Sequence, residues 1–423
     1  MVAGQYSGMD VPSRHPDPFP TATAAPGTDT VPTGMRRPAG PPGEPGEPAL
    51  VTLDAIRAAA EVIRGVVVRT PPLPFGAIIQ GDRFGRTRAW LKPESLQPIG
   101  AFKLRGAYYN IATLPPERRA AGVVAHSSGN HAQGVARAAR LLGVRAVIVM
   151  PSDAPTVKVE RVRADGAEIV VVGPSSEERA QRAAELARSE GLSMVAPYDD
   201  AATITGQGTI GIEIVEQLAE IEALDGAGMA LGTGTGVAPA AGTGIEPPAG
   251  TGIEPGAFTA VVPTAFTVLV PVGGGGIASG VSVAVKSLRP DAVVLGVEPE
   301  LAADARDSLA QGRIVTWPAE QVGRTIADGQ RTTHIGQIPF VHLRRFLDGI
   351  VTVSEEEIAR AMVRASREAR LVLEPSGATT LAAWLFHAGE LPATGRVVCV
   401  LSGGNVDPAR YEELLARGIA AGG

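Results

Sequence analysis

Apolar positions first fall into register at Thr52-Leu53-Asp54-Ala55-Ile56-Arg57, where they recur at helical spacing behind a threonine suited to cap the helix. Residues 1–48 show no such period. Pro, Gly, Thr and Ala alternate there with few bulky side chains, too little apolar surface to offset the entropy of ordering, so a disordered tail is expected. The pattern next predicts a short strand at Ala89-Trp90-Leu91-Lys92 and a helix through Ala107-Tyr108-Tyr109-Asn110 that stops before Pro115-Pro116. Between 121 and 173, short apolar runs alternate with helical stretches. Strands are predicted at Gly122-Val123-Val124-Ala125, over 146–150 and over 167–172, with helices over 132–142, closed by Gly143, and over 156–165, closed by Gly166. Buried strands alternating with helices are βαβ units, which build a parallel sheet.

Further helices are expected over 177–190 and 209–222. The pattern then collapses: Ala241-Gly242-Thr243-Gly244-Ile245-Glu246-Pro247 is repeated as Ala249-Gly250-Thr251-Gly252-Ile253-Glu254-Pro255, and two such copies build no packed core. Residues 225–264 are therefore expected to be a flexible insertion, and Gly232-Thr233-Gly234-Thr235-Gly236 inside it follows no strand and makes no nucleotide loop. Order returns with an uninterrupted apolar strand over 266–272. It runs into Gly273-Gly274-Gly275-Gly276-Ile277-Ala278-Ser279-Gly280 and a helix to Leu288. A strand over 292–297 ends at Glu298, a less regular stretch follows, and helices over 355–369 and 376–386 lead to a last strand over 397–401 that closes on Ser402-Gly403-Gly404-Asn405.

Composition narrows the function classes. At 423 residues the chain can bury a large core, as two domains of common size or one large α/β unit with a tail, and its 44% hydrophobic and 19% charged residues fit a globular soluble enzyme. A net charge of −6 supplies no basic surface, which argues against nucleic-acid partners. The lone Cys399 sits in an apolar strand, so it reads as a buried thiol and no intrachain disulfide can form. Without a run of eighteen apolar residues or a targeting pattern at the N-terminus, no membrane association is expected and residence in the cytoplasm follows by default.

The candidate chemistry lies at loop positions next to strands. Lys103, between Phe102 and the start of a helix, is placed for covalent amine chemistry. The polar turn Ser127-Ser128-Gly129-Asn130-His131 falls at the carboxyl end of a predicted strand, where parallel sheets bind ligands. Four glycines between a strand and a helix let backbone N–H groups converge on a phosphate. A Schiff-base lysine holding pyridoxal phosphate accounts for all three. The rival is a dinucleotide fold: Gly273-x-Gly275-x-x-Ala278 after a strand, with Glu298 ending the next, matches the rule in which an acid takes ribose hydroxyls. That reading would leave Lys103, the 127–131 turn and Ser402-Gly403-Gly404-Asn405 without a task, and would make the protein an NAD-type oxidoreductase.

From 52 to 415, apart from 225–264, the chain resembles the serine/threonine dehydratases (threonine ammonia-lyases) and serine racemases of the fold-type II, tryptophan-synthase-β-like pyridoxal-phosphate enzymes. The likeness is carried by Gly100-Ala101-Phe102-Lys103-Leu104-Arg105-Gly106-Ala107, Ser127-Ser128-Gly129-Asn130-His131-Ala132-Gln133, Met150-Pro151-Ser152-Asp153-Ala154-Pro155, Gly206-Gln207-Gly208-Thr209-Ile210-Gly211, Pro271-Val272-Gly273-Gly274-Gly275-Gly276 and Ser402-Gly403-Gly404-Asn405. It implies two three-layer α/β/α domains with mostly parallel twisted sheets and the cofactor between them. The large domain would comprise 49–112 with 200–423, and the small one 113–199. Carried over, Lys103 is the Schiff-base residue, Phe102 packs beside the pyridine ring, and Asn130 bonds the ring hydroxyl. Gly273, Gly274, Gly275 and Gly276 bind the phosphate, Ser402 meets the ring nitrogen, and Ser127, Ser128 and His131 hold the substrate carboxylate. Ala101 stands where the family often has serine.

The resemblance further implies β-elimination of L-threonine and L-serine to 2-oxobutanoate or pyruvate and ammonia. Serine racemisation, with Ser128 as a second acid/base, and threo-3-hydroxyaspartate as substrate, with Arg179 as partner of its second carboxylate, are the alternatives. Arg179, in an Arg/Glu-rich helix, also reads as a surface residue. Glu298, the Ala302 carbonyl and Asp304 match a divalent-cation site, and hard oxygen ligands suit Mg2+ or Ca2+; two solvated acids in a surface loop are the plain alternative. His126, His334 and His342 lack metal-ligand or catalytic partners and read as structural. A homodimer or higher homo-oligomer is implied, and the few residues after the last strand leave no room for the regulatory domain of biosynthetic threonine dehydratases, so isoleucine feedback is not expected.

Overall fold

The computed structural model describes residues 46–76, 88–127, 129–154, 156–232, 265–392 and 394–423. The expected tail, up to residue 45, and 233–264 of the expected insertion lie outside them, as does Ser128. The strands described are β1 Leu73–Phe75, β2 Arg88–Pro93, β3 Val123–His126, β4 Ala146–Pro151, β5 Glu168–Val172, β6 Ser193–Met194, β7 Thr267–Pro271, β8 Val293–Pro299, β9 Gly349–Val353 and β10 Arg396–Leu401. Six form one sheet in the order β1-β2-β10-β7-β8-β9, and four form another in the order β5-β4-β3-β6. Every pairing is parallel except β1 with β2.

The unbroken apolar runs are explained by coverage on both faces. Along β10, Val397, Cys399 and Leu401 pack with Ile358, Met362, Leu381, Trp384 and Leu414 from the helices Glu355–Arg364, Pro375–His387 and Pro408–Ala420. Val398 and Val400 face the other way, onto Ile210, Ile214, Val281, Val285 and Phe340 from the helices Ala201–Gly232, Gly276–Leu288 and Gln337–Phe346. Alternate residues of one strand thus serve two cores, and the sheet is the middle of three layers. The smaller sheet repeats this: Ala125 and Ile148 pack with the helices Lys103–Ala112 and Asn130–Leu142, while Val124, Val147 and Val149 meet Ala183 and Leu186 of the helix Ser176–Glu190. Burial of Cys399 pushes its thiol well up, as suits a packing residue.

The helix read over 209–222 is longer: it runs Ala201–Gly232, eight residues into the stretch expected to be insertion. Its start is set by Asp200, whose Oδ1 accepts from the Thr203 N–H at 2.9 Å. Its first turns carry no amphipathic period because they are buried all round: Ile204 and Ile212 enter one cluster and Ile210 and Ile214 another, while Thr205 and Thr209 return their hydroxyls to Ala201 and Gly206 carbonyls. Strands β1 and β6, three and two residues long, are too short to show a period. Among the described residues no helix is long and apolar enough to cross a membrane.

Candidate active site

Lys103 opens its helix behind Phe102, which makes no side-chain cap. The turn before it is fastened to the loop after β10: the Phe102 N–H donates to Ser402 O at 3.1 Å, the Gly404 N–H donates to Gly100 O at 2.9 Å, and Ala101 bridges Gly403. The lysine is therefore pinned to the carboxyl end of a central strand, where sequence position alone had placed only a helix start. Its Nζ donates to Pro197 O at 2.6 Å and lies 5.0 Å from the Phe102 ring centre. Burial pushes the amine down to about 8, opposed by the Glu374 carboxyl nearby to the extent that it is ionised.

Two residues further along the helix, Arg105 is fully buried. It donates from Nε and Nη2 to Glu94 at 2.8 and 2.9 Å, and from Nη1 and Nη2 to Glu213 at 2.7 and 2.9 Å; Lys92 Nζ reaches Glu213 at 2.6 Å. Glu94 follows directly on β2 and Glu213 lies on the helix Ala201–Gly232, so the fork ties the lysine's helix to both. The sequence reading gave Arg105 no task.

The glycine loop lies where expected, between β7 and the helix Gly276–Leu288. The first N–H groups of that helix have no carbonyl four residues back, and they carry its partial positive charge. A Cβ on Gly274 would lie 2.3 Å from the Tyr198 ring, and Gly275 has φ +94°, so bulkier residues are excluded from the cradle. Tyr198 belongs to the segment whose Pro197 carbonyl holds Lys103, which brings the glycine loop and the lysine to one place.

Ser402, Asn130 and His131 lie near the same place, while Ser128 is outside the described residues. Ser402 is buried, its Oγ donating to Ser376 O at 3.3 Å. Ser127 Oγ accepts from the Gly129 N–H at 3.2 Å. His131 Nε2 bonds Val195 O at 2.8 Å while its Nδ1 has no partner among the described residues; burial and the Lys103 charge push the ring down to about 3, so it is a neutral imidazole. Asn130 Nδ2 donates to Glu374 Oε1 at 2.6 Å, and Asn130 Oδ1 accepts from Asn405 Nδ2 at 2.8 Å. Burial, with Asp328 nearby, pushes Glu374 up to about 8. Glu374 was not singled out from the sequence, because nothing local distinguishes an acid before Pro375 at a helix start from any other polar residue there. Beside it lies a cavity of about 360 Å³ whose lining includes Lys158, Asp328 and Asn405, and Lys158 pairs with Asp328 at 3.1 Å.

Glu298 does not face a nucleotide. Fully buried, it accepts from the Ala305 and Arg306 N–H groups at 3.0 and 2.8 Å, and burial with Asp304 beside it pushes its carboxyl well above the usual range. The dinucleotide rival therefore loses its ribose-binding acid. Asp304 is not a solvated surface acid either. It is buried, no described residue meets full hydrogen-bond geometry with its carboxylate oxygens, and burial pushes it up to about 7 against the opposing pull of the nearby Ile335 N–H and Thr332 hydroxyl. Ala302, whose carbonyl is the third expected ligand, is buried next to them. No cluster of three or more His, Cys, Asp or Glu side chains able to hold a metal occurs among the described residues.

Arg179 is half-buried. Its Nη1 donates to Pro174 O at 2.8 Å, and its charge adds to burial in pushing His126, the last residue of β3, down. His342 is structural as read: it accepts the Val51 N–H at 2.8 Å and reaches Ile338 O at 2.7 Å.

Residues 68–265 and 259–403 match the family described as "Pyridoxal-phosphate dependent enzyme". The L-threonine ammonia-lyase of Thermotoga maritima is 36% identical over 88% of this chain and 80% of its own length. The L-threo-3-hydroxyaspartate ammonia-lyase of Saccharomyces cerevisiae is 35% identical over 86% and 96%. The structure of maize serine racemase superposes with a TM-score of 0.71 at 32% identity, covering 88% of this chain and 98% of that one. With a half-buried lysine beside a glycine-rich loop and a family match over 68–265 and 259–403, this protein is a member of the pyridoxal-phosphate dependent enzyme family.

Proposed function

We propose that the protein is an ammonia-lyase that eliminates water from L-threonine and L-serine, releasing 2-oxobutanoate or pyruvate and ammonia. The observation that carries the reading is the half-buried Lys103 amine, pushed down to about 8 beside Phe102 and Pro197, in a chain whose relatives are named for this reaction. When bound, pyridoxal phosphate supplies an aldehyde that condenses with amines and a ring that takes up the electron pair released at Cα. Gly273, Gly274, Gly275 and Gly276 would hold its phosphate, Asn130 its hydroxyl and Ser402 its ring nitrogen. Ser127, Ser128 and His131 would hold the substrate carboxylate.

Lys103, displaced by the substrate amine, is left with a free amine that is unprotonated often enough near neutral pH to take the Cα proton. Ser402, by turning its hydroxyl away from the Ser376 carbonyl, can donate to a ring nitrogen that carries no proton, unlike an acidic partner; the pull on the electron pair is then modest and favours prompt loss of the β-hydroxyl. The neutral His131 adds no positive charge that would hold Lys103 deprotonated, so burial does that work.

A second substrate reading rests on Arg179: a half-buried guanidinium close to His126 could pair with the distal carboxylate of threo-3-hydroxyaspartate, for which relatives are named. Glu298, Asp304 and the Ala302 carbonyl would hold Mg2+ or Ca2+, since two buried carboxylates with raised pKa values fit a hard cation better than each other. The test is to supply the holoenzyme with single L- and D-amino acids and assay 2-oxo acid, ammonia and the opposite enantiomer. Elimination from L-threonine or L-serine, lost in Lys103→Ala, supports the reading. Racemisation without 2-oxo acid overturns it in favour of a racemase, whose second acid/base would then be sought with Ser128→Ala.

A further inference from the structure

The Asn405 side chain makes three hydrogen bonds whose chemistry leaves it no choice of orientation. Its Oδ1 accepts from Arg161 Nη1 at 2.6 Å, and a guanidinium can only donate. Its Nδ2 donates to the Ile99 carbonyl at 2.7 Å, which can only accept. The same Nδ2 reaches Asn130 Oδ1 at 2.8 Å, so the Asn130 amide must turn its oxygen to Asn405 and its NH2 the other way, where one hydrogen goes to Glu374 Oε1 at 2.6 Å. Asn405 is itself seated by close packing: a Cβ on Gly100, three residues before Lys103, would lie 2.5 Å from its Oδ1.

Glu374 could not set this orientation alone. A carboxylate accepts only, but a buried carboxyl pushed up to about 8 is largely protonated at neutral pH and can donate as readily as accept, satisfying an Asn130 amide turned either way. The partner with a fixed donor is Asn405.

We propose that Asn405 is a positioning residue: by donating to Asn130 Oδ1 it directs the second Asn130 N–H toward the hydroxyl oxygen of the cofactor ring. Through Arg161, on the helix Thr156–Ala164, and Ile99, ahead of the lysine, it also joins the helices of the smaller sheet to the loop after β10 at this point. The inference rests on the reading of Asn130 as the ring-hydroxyl partner. A ring oxygen that receives this hydrogen bond is favoured in its ionised form, with the proton kept on the nitrogen linked to Lys103. A flipped amide would oppose that oxygen with a lone pair.

The test uses the purified full chain, stripped of cofactor and titrated with pyridoxal phosphate, comparing wild type with Asn405→Asp, Asn405→Leu and Asn130→Ala. Each variant is read by the ratio of the visible to the near-ultraviolet absorbance band of the bound cofactor, by its dissociation constant, and by melting temperature without cofactor. The expected result is a fall of the visible band in favour of the near-ultraviolet one and about tenfold weaker binding in both Asn405 variants, as for loss of one positioned hydrogen bond. Because melting without cofactor reports folding separately, a variant that melts like wild type and keeps both band ratio and affinity overturns the proposal whenever Asn130→Ala alters them. An unchanged spectrum in Asn130→Ala instead overturns the reading on which it rests, and the proposal with it.

Discussion

Lys103 Nζ and the Pro197 carbonyl oxygen lie 2.6 Å apart, joining the first turn of the lysine's helix to the segment whose Tyr198 ring covers the glycine loop. One short stretch thus holds both the nucleophilic amine and the cradle expected to take the phosphate.

Only the unprotonated amine condenses with an aldehyde, and burial puts the Lys103 transition at about 8. The rate at which the cofactor-free protein gains visible absorbance on mixing with pyridoxal phosphate should therefore rise with pH and level off above about 8. Stopped-flow absorbance measures this. Lys103→Ala should gain no such band and lose activity on the order of 10³-fold or more.

At the cradle, Gly274→Ala forces a methyl into the Tyr198 ring. Overpacking of this kind should cost about 1–3 kcal/mol in urea unfolding and weaken cofactor binding. Combining it with Tyr198→Ala should cost less than the two single losses added together, because both changes act on the same contact; strict additivity would show that the ring and the loop are not coupled.

Removing Arg105 leaves the fully buried Glu94 and the mostly buried Glu213 without their fork. Arg105→Ala is expected to lose about 3–5 kcal/mol of stability, read from denaturant midpoints of the cofactor-free protein. Arg105→Lys should recover only part of it, since an ammonium cannot bridge both carboxylates in two-pronged geometry.

Cation binding at Glu298 and Asp304 should appear as a melting-temperature rise with millimolar Mg2+ or Ca2+, several degrees once the ion is about a hundredfold above its dissociation constant. Asp304→Asn should remove the rise. A rise that persists in the variant would place the ion elsewhere.

If Arg179 meets a distal carboxylate, Arg179→Ala should lower kcat/KM for threo-3-hydroxyaspartate by about 10- to 100-fold, the worth of one charge-assisted hydrogen bond, and leave L-threonine unaffected. Equal losses on both substrates would make it a packing residue.

The alternation of apolar runs with helical stretches was enough to read βαβ units and a parallel sheet, because covered strands are apolar on both faces whatever their neighbours. Local chemistry also showed the glycine loop at a strand end, the lysine at a helix start and the polar turn after β3, since each needs only a few consecutive residues. What no local pattern carries is the pairing of distant segments. The bond from Asn405 to Asn130, the fork from Arg105 to Glu94 and Glu213, and the hold of Pro197 on Lys103 join residues from 11 to 275 positions apart. Burial likewise comes only with packing: it raises the Glu374 carboxyl to about 8, turns Asp304 from a loop acid into a buried one, and hides the period of the helix Ala201–Gly232 by covering it all round. The sequence by itself determined which groups could do the chemistry. The tertiary structure decided which of them meet, and at what pKa, because both depend on desolvation and on contacts between segments that the chain brings together only when folded.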